Sequence, residues 1–265
     1  MLRKIILLSL FLIAAVGAAH DTWLVPQKFR VDRGMPVQVA LNTSEDFPAS
    51  EAAAAPDRIA SFEIVTADGR AVVSGYRVEG KSLVAEVTPG SGTTIVAAVT
   101  KPRFILLKPE QFNEYITEER LETIVAARQA RGETQKDGRE YYSKIAKLAL
   151  CAPKPGGVAF EKPLGLKVEI FPLTDPCDLE QGGELEVQVL FDGRPLAHTW
   201  VGAGYEGVHG HGYPVWARTD SEGRAKIPLD RSGAWFVRVL HMVPSKDFPD
   251  ADWQSWFSTL TFEVQ

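Results

Sequence analysis

Glu184-Leu185-Glu186-Val187-Gln188-Val189-Leu190-Phe191-Asp192-Gly193 alternates apolar and polar side chains and then turns. Leu185, Val187, Val189 and Phe191 point one way, while Glu184, Glu186 and Gln188 point the other. That period of two belongs to a strand with one buried face. Asp192-Gly193 tolerates the positive φ of a tight hairpin turn. The same grammar recurs downstream. Thr219-Asp220-Ser221-Glu222-Gly223-Arg224 turns into Ala225 to Leu229, Ser232-Gly233 precedes Trp235 to Met242, and Phe257 to Val264 closes the series.

Upstream, Val37 to Leu41, Phe62 to Val65, Ala71 to Val73, Leu83 to Val87 and Thr94 to Val99 repeat the pattern, with Asp68-Gly69 as a second hairpin signal. A helical insertion interrupts it over 109–132. Pro109 opens a short helix to Ile116, and Thr117 is expected to cap a second. Arg128 and Arg131 near its end complement the helix dipole, and Gly132 follows. Tyr141 to Leu150 then returns as a strand. The expected fold class is mainly β, with two β-sandwich domains, immunoglobulin- or transthyretin-like. The first spans 20–152 with the helical insertion at its end, and the second spans 160–265. Between them, Ala152-Pro153-Lys154-Pro155-Gly156-Gly157 reads as a linker.

The first residues read as an export signal. Arg3 and Lys4 precede the apolar run Ile5 to Val16, and Gly17-Ala18-Ala19 supplies small residues for a signal peptidase. A helix over that run rises only ~18 Å, too short for a hydrocarbon core of ~30 Å. No later stretch reads as a membrane span. Residues 1–19 are therefore expected to be removed, leaving a periplasmic or secreted protein of about 245 residues. The formal charge of −5 with interspersed signs gives no electrostatic footprint for nucleic acid. In an oxidising compartment the two cysteines, Cys151 and Cys177, are read as a disulfide.

Nucleophile-elbow, phosphate-loop, dinucleotide and His-Glu-x-x-His motifs do not occur. Whether the chain is an enzyme stays open, and binding is the first expectation. Five histidines remain as candidate ligands. Cleavage after Ala19 frees the amine of His20 beside its imidazole, a two-nitrogen chelate that one more imidazole would complete. Such tetragonal nitrogen sets suit Cu(II) or Ni(II). In His209-Gly210-His211, positions i and i+2 of an extended segment face the same way. His241 ends the strand Trp235 to His241 on the face of Trp235, Val237 and Val239, where a structural histidine is the rival reading. His198 is expected to face solvent. Asp21, Asp250 and Asp252 are possible carboxylate partners. Trp253 and Trp256 read either as core or as an aromatic platform for carbohydrate.

Several of these stretches resemble a known family. They are His20 to Pro26, Arg194-Pro195-Leu196-Ala197, Thr219 to Arg224, and Trp235 to Met242 with Asp250-Ala251-Asp252-Trp253. Together they look like bacterial extracytoplasmic proteins classed under a domain of unknown function and linked to nickel or cobalt uptake. The resemblance implies two sandwich-like parts and a metal-related periplasmic role, and it carries His20 and His241 over as matching positions. The C-terminal half also resembles transthyretin-like modules. The expected ligand set is His20, His209, His211 and His241, the cofactor a nickel, cobalt or copper ion, and the partner a metal-uptake transporter or outer-membrane receptor. Two alternatives stand beside this reading. One is a copper-dependent oxidative enzyme with an N-terminal histidine brace, and the other is a structural or carbohydrate-binding sandwich without metal. Mass spectrometry of the exported chain is expected to find His20 first; Ala19 first, from cleavage after Ala18, would leave the histidine behind an amide.

Overall fold

The computed structural model describes residues 20–153, 157–210 and 212–265. The signal segment expected over 1–19 and His211 lie outside the described residues. Strands β1 (Asp21–Pro26), β2 (Val37–Ser44), β3 (Ile59–Thr66), β4 (Gly69–Val72), β5 (Arg77–Glu79), β6 (Ser82–Val87), β7 (Gly92–Thr100) and β8 (Arg103–Leu107) come first. Helices α1 (Pro109–Glu118) and α2 (Glu122–Ala130) follow. Then come β9 (Gly138–Cys151), β10 (Gly157–Val158), β11 (Val168–Pro172), β12 (Glu184–Phe191), β13 (Arg194–Pro195) and β14 (Trp200–Tyr205). The chain ends with β15 (Val215–Arg218), β16 (Arg224–Pro228), β17 (Gly233–Pro244) and β18 (Trp253–Val264). The chain is mainly β, and no helix among the described residues is long and apolar enough to cross a membrane.

A ten-stranded sheet forms the middle layer, in the order β15-β14-β17-β18-β9-β7-β3-β4, with β8 beside β9 and β10 beside β7. Two four-stranded sheets flank it: β1-β2-β6-β5, and β11-β12-β13 with β16 beside β12. Alternation along the middle strands feeds both flanks. On β7, Ile95 and Ala97 join the core with Val187, Trp235 and Leu260. Val96 and Ala98 join the opposite core with Leu24, Val39 and Leu83. A strand covered on both faces loses the apolar/polar alternation, which is why β7 carries the continuous apolar run Ile95 to Val99. Strands from both sides of residues 153–157 share this sheet, because β18 pairs β9 in parallel from Trp253↔Glu140 to Thr261↔Leu148.

The helical insertion packs beside the first flanking sheet, over β8, β9, β17 and β18. Phe112, Tyr115, Ile116 and Ile124 meet Tyr142, Leu240, Trp253 and Phe257 there. Its internal boundary differs from expectation. Thr117 lies inside α1, where its hydroxyl donates to the Asn113 carbonyl at 2.6 Å instead of capping α2. α1 runs on because its buried face includes Tyr115 and Ile116, and the break falls at 119–121, with Arg120 at φ 54°.

Cys151, at the end of β9, is bridged to Cys177 across 26 residues. The bridge ties the middle sheet to the segment joining β11 and β12 of the second flank. A buried Lys147–Glu169 pair at 2.8 Å does the same one layer deeper, with Glu169 also accepting from the Leu164 and Gly165 amides. Removing the disulfide by Cys151→Ala and Cys177→Ala should lower the unfolding free energy by about 3 kcal/mol, the loop-entropy value for a ring of this size. Urea denaturation reads it, and an unchanged midpoint would contradict the expectation.

Candidate functional site

β1 starts at the surface and runs inward, with Asp21, Thr22, Trp23 and Leu24 all buried. An ionised carboxylate at Asp21 needs partners, and it has two. Arg238 Nε lies 3.1 Å from it, and the Tyr213 hydroxyl donates to it at 2.7 Å. Arg238 occupies the face of β17 opposite Trp235, Val237 and Val239, between Phe236 and Leu240. Its other nitrogens donate to Glu119 at the end of α1, Nη2 to Oε1 at 3.1 Å and Nη1 to Oε2. Burial opposes the guanidinium charge, but Asp21 and Glu119 outweigh it and hold the Arg238 pKa well above its ordinary value. Burial likewise raises the Tyr213 phenol, so that it stays a donor. Room for this arrangement comes from Gly202 on β14, where a Cβ would come within 3.2 Å of Arg238 Cδ and 3.1 Å of the Tyr213 ring.

A second buried group adjoins the first. Lys144 Nζ donates to the His20 carbonyl, and Thr259 donates to the Thr22 carbonyl at 2.6 Å. Burial pushes the Lys144 ammonium down to about 8. Glu140 accepts from Ser255 and, at 3.3 Å, from Tyr115 on α1. Burial dominates those bonds and raises the Glu140 carboxyl to about 7. Its Oε2 has no partner, nor has Trp253 Nε1. Among the described residues this interior holds three carboxylates, Asp21, Glu119 and Glu140, against two cations, Arg238 and Lys144. A proton on Glu140 balances the count.

His20 stands at the mouth of this belt, its side chain 14% exposed. Nε2 faces Glu45 Oε1 at 3.2 Å and Nδ1 faces Glu51 Oε2 at 3.7 Å. The segment bearing these carboxylates is held in place. Phe47 packs against Trp23 and Phe236 with ring centroids 5.2 and 4.9 Å apart, and Ser44 donates to Glu51 at 3.0 Å. Asp46, next to Glu45, lies 3.1 Å from His209 Nδ1 and accepts the Gly210 amide at 3.3 Å. The structure therefore tethers His20 and His209 to consecutive residues of one loop, with His209 itself exposed.

The other candidates lie elsewhere. His241 is on the opposite face of the middle sheet from Arg238, its ring 4.4 Å from Phe191, and burial lowers it to about 4. The sheet separates it from His20. His198 is exposed in a turn at φ 57°. Asp252 forms a two-pronged pair with Arg139 at 2.9 and 2.6 Å, and Asp250 accepts from Tyr141 at 3.3 Å. Trp253 and Trp256 are both buried, so neither serves as an exposed carbohydrate platform.

Among the described residues no three His, Cys, Asp or Glu side chains converge as a ready metal-ion site. Around His20 stand Glu45 and Glu51, with His209 held by the neighbouring Asp46. His20's own nitrogen, an amide while Ala19 is attached, is the donor that processing would add. Sequence reading missed Arg238, Glu119, Lys144, Glu140 and Glu45. The available signal was charge inside otherwise apolar strands, as with Lys144 in β9 and Arg238 in β17.

The family model described as "Domain of unknown function (DUF4198)" matches residues 17–243. No curated protein matches the chain. Among solved structures, the D0-D1 domain of intimin is 11% identical, over 90% of this chain and 96% of that one, with a TM-score of 0.21. The Escherichia coli adhesin FdeC is 11% identical over 94% and 63%, with a TM-score of 0.24. The Yersinia pseudotuberculosis adhesin InvE is 9% identical over 93% and 59%, with a TM-score of 0.23. The chain thus spans less than two thirds of the last two. At these scores no functional argument passes from them to this chain.

Glu140 generates a pH dependence with a definite sign. Its folded pKa, about 7, exceeds the ordinary 4.5, so the native state binds the extra proton between those values. This group's contribution is complete below about 4.5 and declines as pH rises toward 7. Lys144 stays charged across that window and adds no slope. Glu140→Gln, which mimics the protonated form, should gain about 2 kcal/mol relative to the native chain between pH 5 and pH 7. Urea denaturation at both values tests it, and a pH-independent difference would sink the assignment.

Proposed function

The chain belongs to the DUF4198 family, and we propose that it is an exported protein that captures a transition-metal ion, nickel, cobalt or copper, through His20. One observation carries the reading. The His20 ring lies between Glu45 and Glu51, while the next residue, Asp46, holds His209, so two imidazoles separated by most of the chain share one short loop. Signal cleavage after Ala19 would add the terminal amine of His20 to this set. Carboxylates at 45, 46 and 51 attract a cation to the mouth and orient the rings as hydrogen-bond acceptors. A bound ion would take imidazole nitrogens and the amine, a set that suits Cu(II) and Ni(II).

The role that fits is capture or hand-over to an uptake transporter or outer-membrane receptor. Supporting it are the exposed position of His209 and the surface position of His20, which leave the ion within reach of a partner. His241 stays outside this set because the middle sheet lies between it and His20. Binding needs a deprotonated amine, whose reference pKa is ~8, so affinity should weaken as pH falls below neutral.

Isothermal titration of the processed protein with Cu(II), Ni(II) and Co(II) is the test. The expectation is a one-to-one complex with Kd below about 1 µM at neutral pH. It should be abolished in His20→Ala, weakened about tenfold in His209→Ala, and weakened in a chain that keeps Ala19. No complex tighter than about 1 µM with any of the three ions would refute the proposal.

A further inference from the structure

The turn joining α1 to α2 makes several attachments within four residues. Glu119 holds Arg238, which holds Asp21, the neighbour of His20. Arg120 adopts φ 54°, a left-handed conformation unusual for a side chain larger than glycine. From there its guanidinium reaches the rings of Trp200 and Trp216, 4.7 and 4.4 Å from their centroids. Glu122 accepts from Trp200 Nε1 at 3.1 Å and pairs with Arg218 at 3.2 Å. Trp200 stands on β14, Trp216 and Arg218 on β15, and the segment between these two strands carries His209.

β15 ends the middle sheet, with β14 as its ladder partner there. A terminal strand of four residues gains little from one ladder. Gly202 and Gly204 on β14 bring no side chain to this face, so the tryptophans carry the contact. The helical insertion covers that face through Arg120 and Glu122, while Glu119 reaches Arg238 on β17. One turn thereby holds the His209 hairpin directly and β1 through Arg238.

We infer that the Glu119–Glu122 turn is a clamp that sets the His209 hairpin against the His20 strand, with Arg120 a positioning residue for the metal site although it touches neither histidine. The part concerning metal rests on the reading of His20 and His209 as ligands, whereas the clamp itself does not.

Hydrogen exchange of the metal-free, processed protein tests the clamp. Arg120→Ala should speed amide exchange about tenfold in β15 and around His209, leave β1 unchanged, and be largely restored by Arg120→Lys, which keeps a cation over the rings. Unchanged exchange in Arg120→Ala would overturn the clamp. Cu(II) titration tests the positioning role. Arg120→Ala should weaken binding about tenfold in the otherwise native chain and leave the His209→Ala chain unaffected. An equal loss in both backgrounds would overturn that role. If the native chain binds no Cu(II), the metal reading falls, and the exchange result decides the clamp on its own.

Discussion

The guanidinium of Arg238, buried between the carboxylates of Asp21 and Glu119, is the interaction on which the rest of the site depends. It joins three elements far apart in the chain: β1, the end of α1 and the centre of β17. Taking these charges out of water costs several kcal/mol per ion, and only close pairing offsets it. Two carboxylates about one guanidinium, with Tyr213 donating to Asp21, provide that pairing. Loss of any one partner would leave an uncompensated charge in a buried interior, worth about 3–5 kcal/mol. The arrangement therefore specifies where β1 begins as much as it stabilises the fold.

The middle sheet makes such an interior possible. Its strands are covered on both faces, so charged groups on β9 and β17 are buried along with the apolar ones. The belt runs from Glu140 and Tyr115 through Lys144 and Thr259 to Asp21, with His20 at its outer end. Glu140 shows the cost of that location. With one hydrogen-bonded oxygen and one orphan, the carboxyl keeps its proton up to about pH 7. The insertion takes part through Tyr115 and Glu119, which couples the helical layer to the N-terminal strand by polar contacts as well as by apolar packing.

Much of the fold was legible from local pattern. The alternation in Glu184 to Phe191 and the turns at Asp68-Gly69 and Asp192-Gly193 marked strands and hairpins where the structure has them. The helical insertion was legible too, though its internal break was placed at Thr117 instead of 119–121. A threonine caps a helix only if the preceding helix has ended, and buried Tyr115 and Ile116 kept α1 going. Of the proposed site, His20 was singled out by the small residues before it. The separation of His241 was not. Its face was read correctly, but the face on which β1 packs follows from layer order, which periodicity does not encode.

The sequence by itself determined the β character, the positions of most strands, the disulfide partners and the histidines worth weighing. Each of these depends on residues close together in the chain or, for the cysteines, on there being two. The tertiary structure alone decided that β9 and β18 run parallel in one sheet, that Trp253 and Trp256 are core, and that Glu45 and Asp46 stand between His20 and His209. It also decided that Arg238 meets Asp21 and Glu119. These pairings join residues separated by up to most of the chain, and their distances exist only once the three sheets and the insertion have packed.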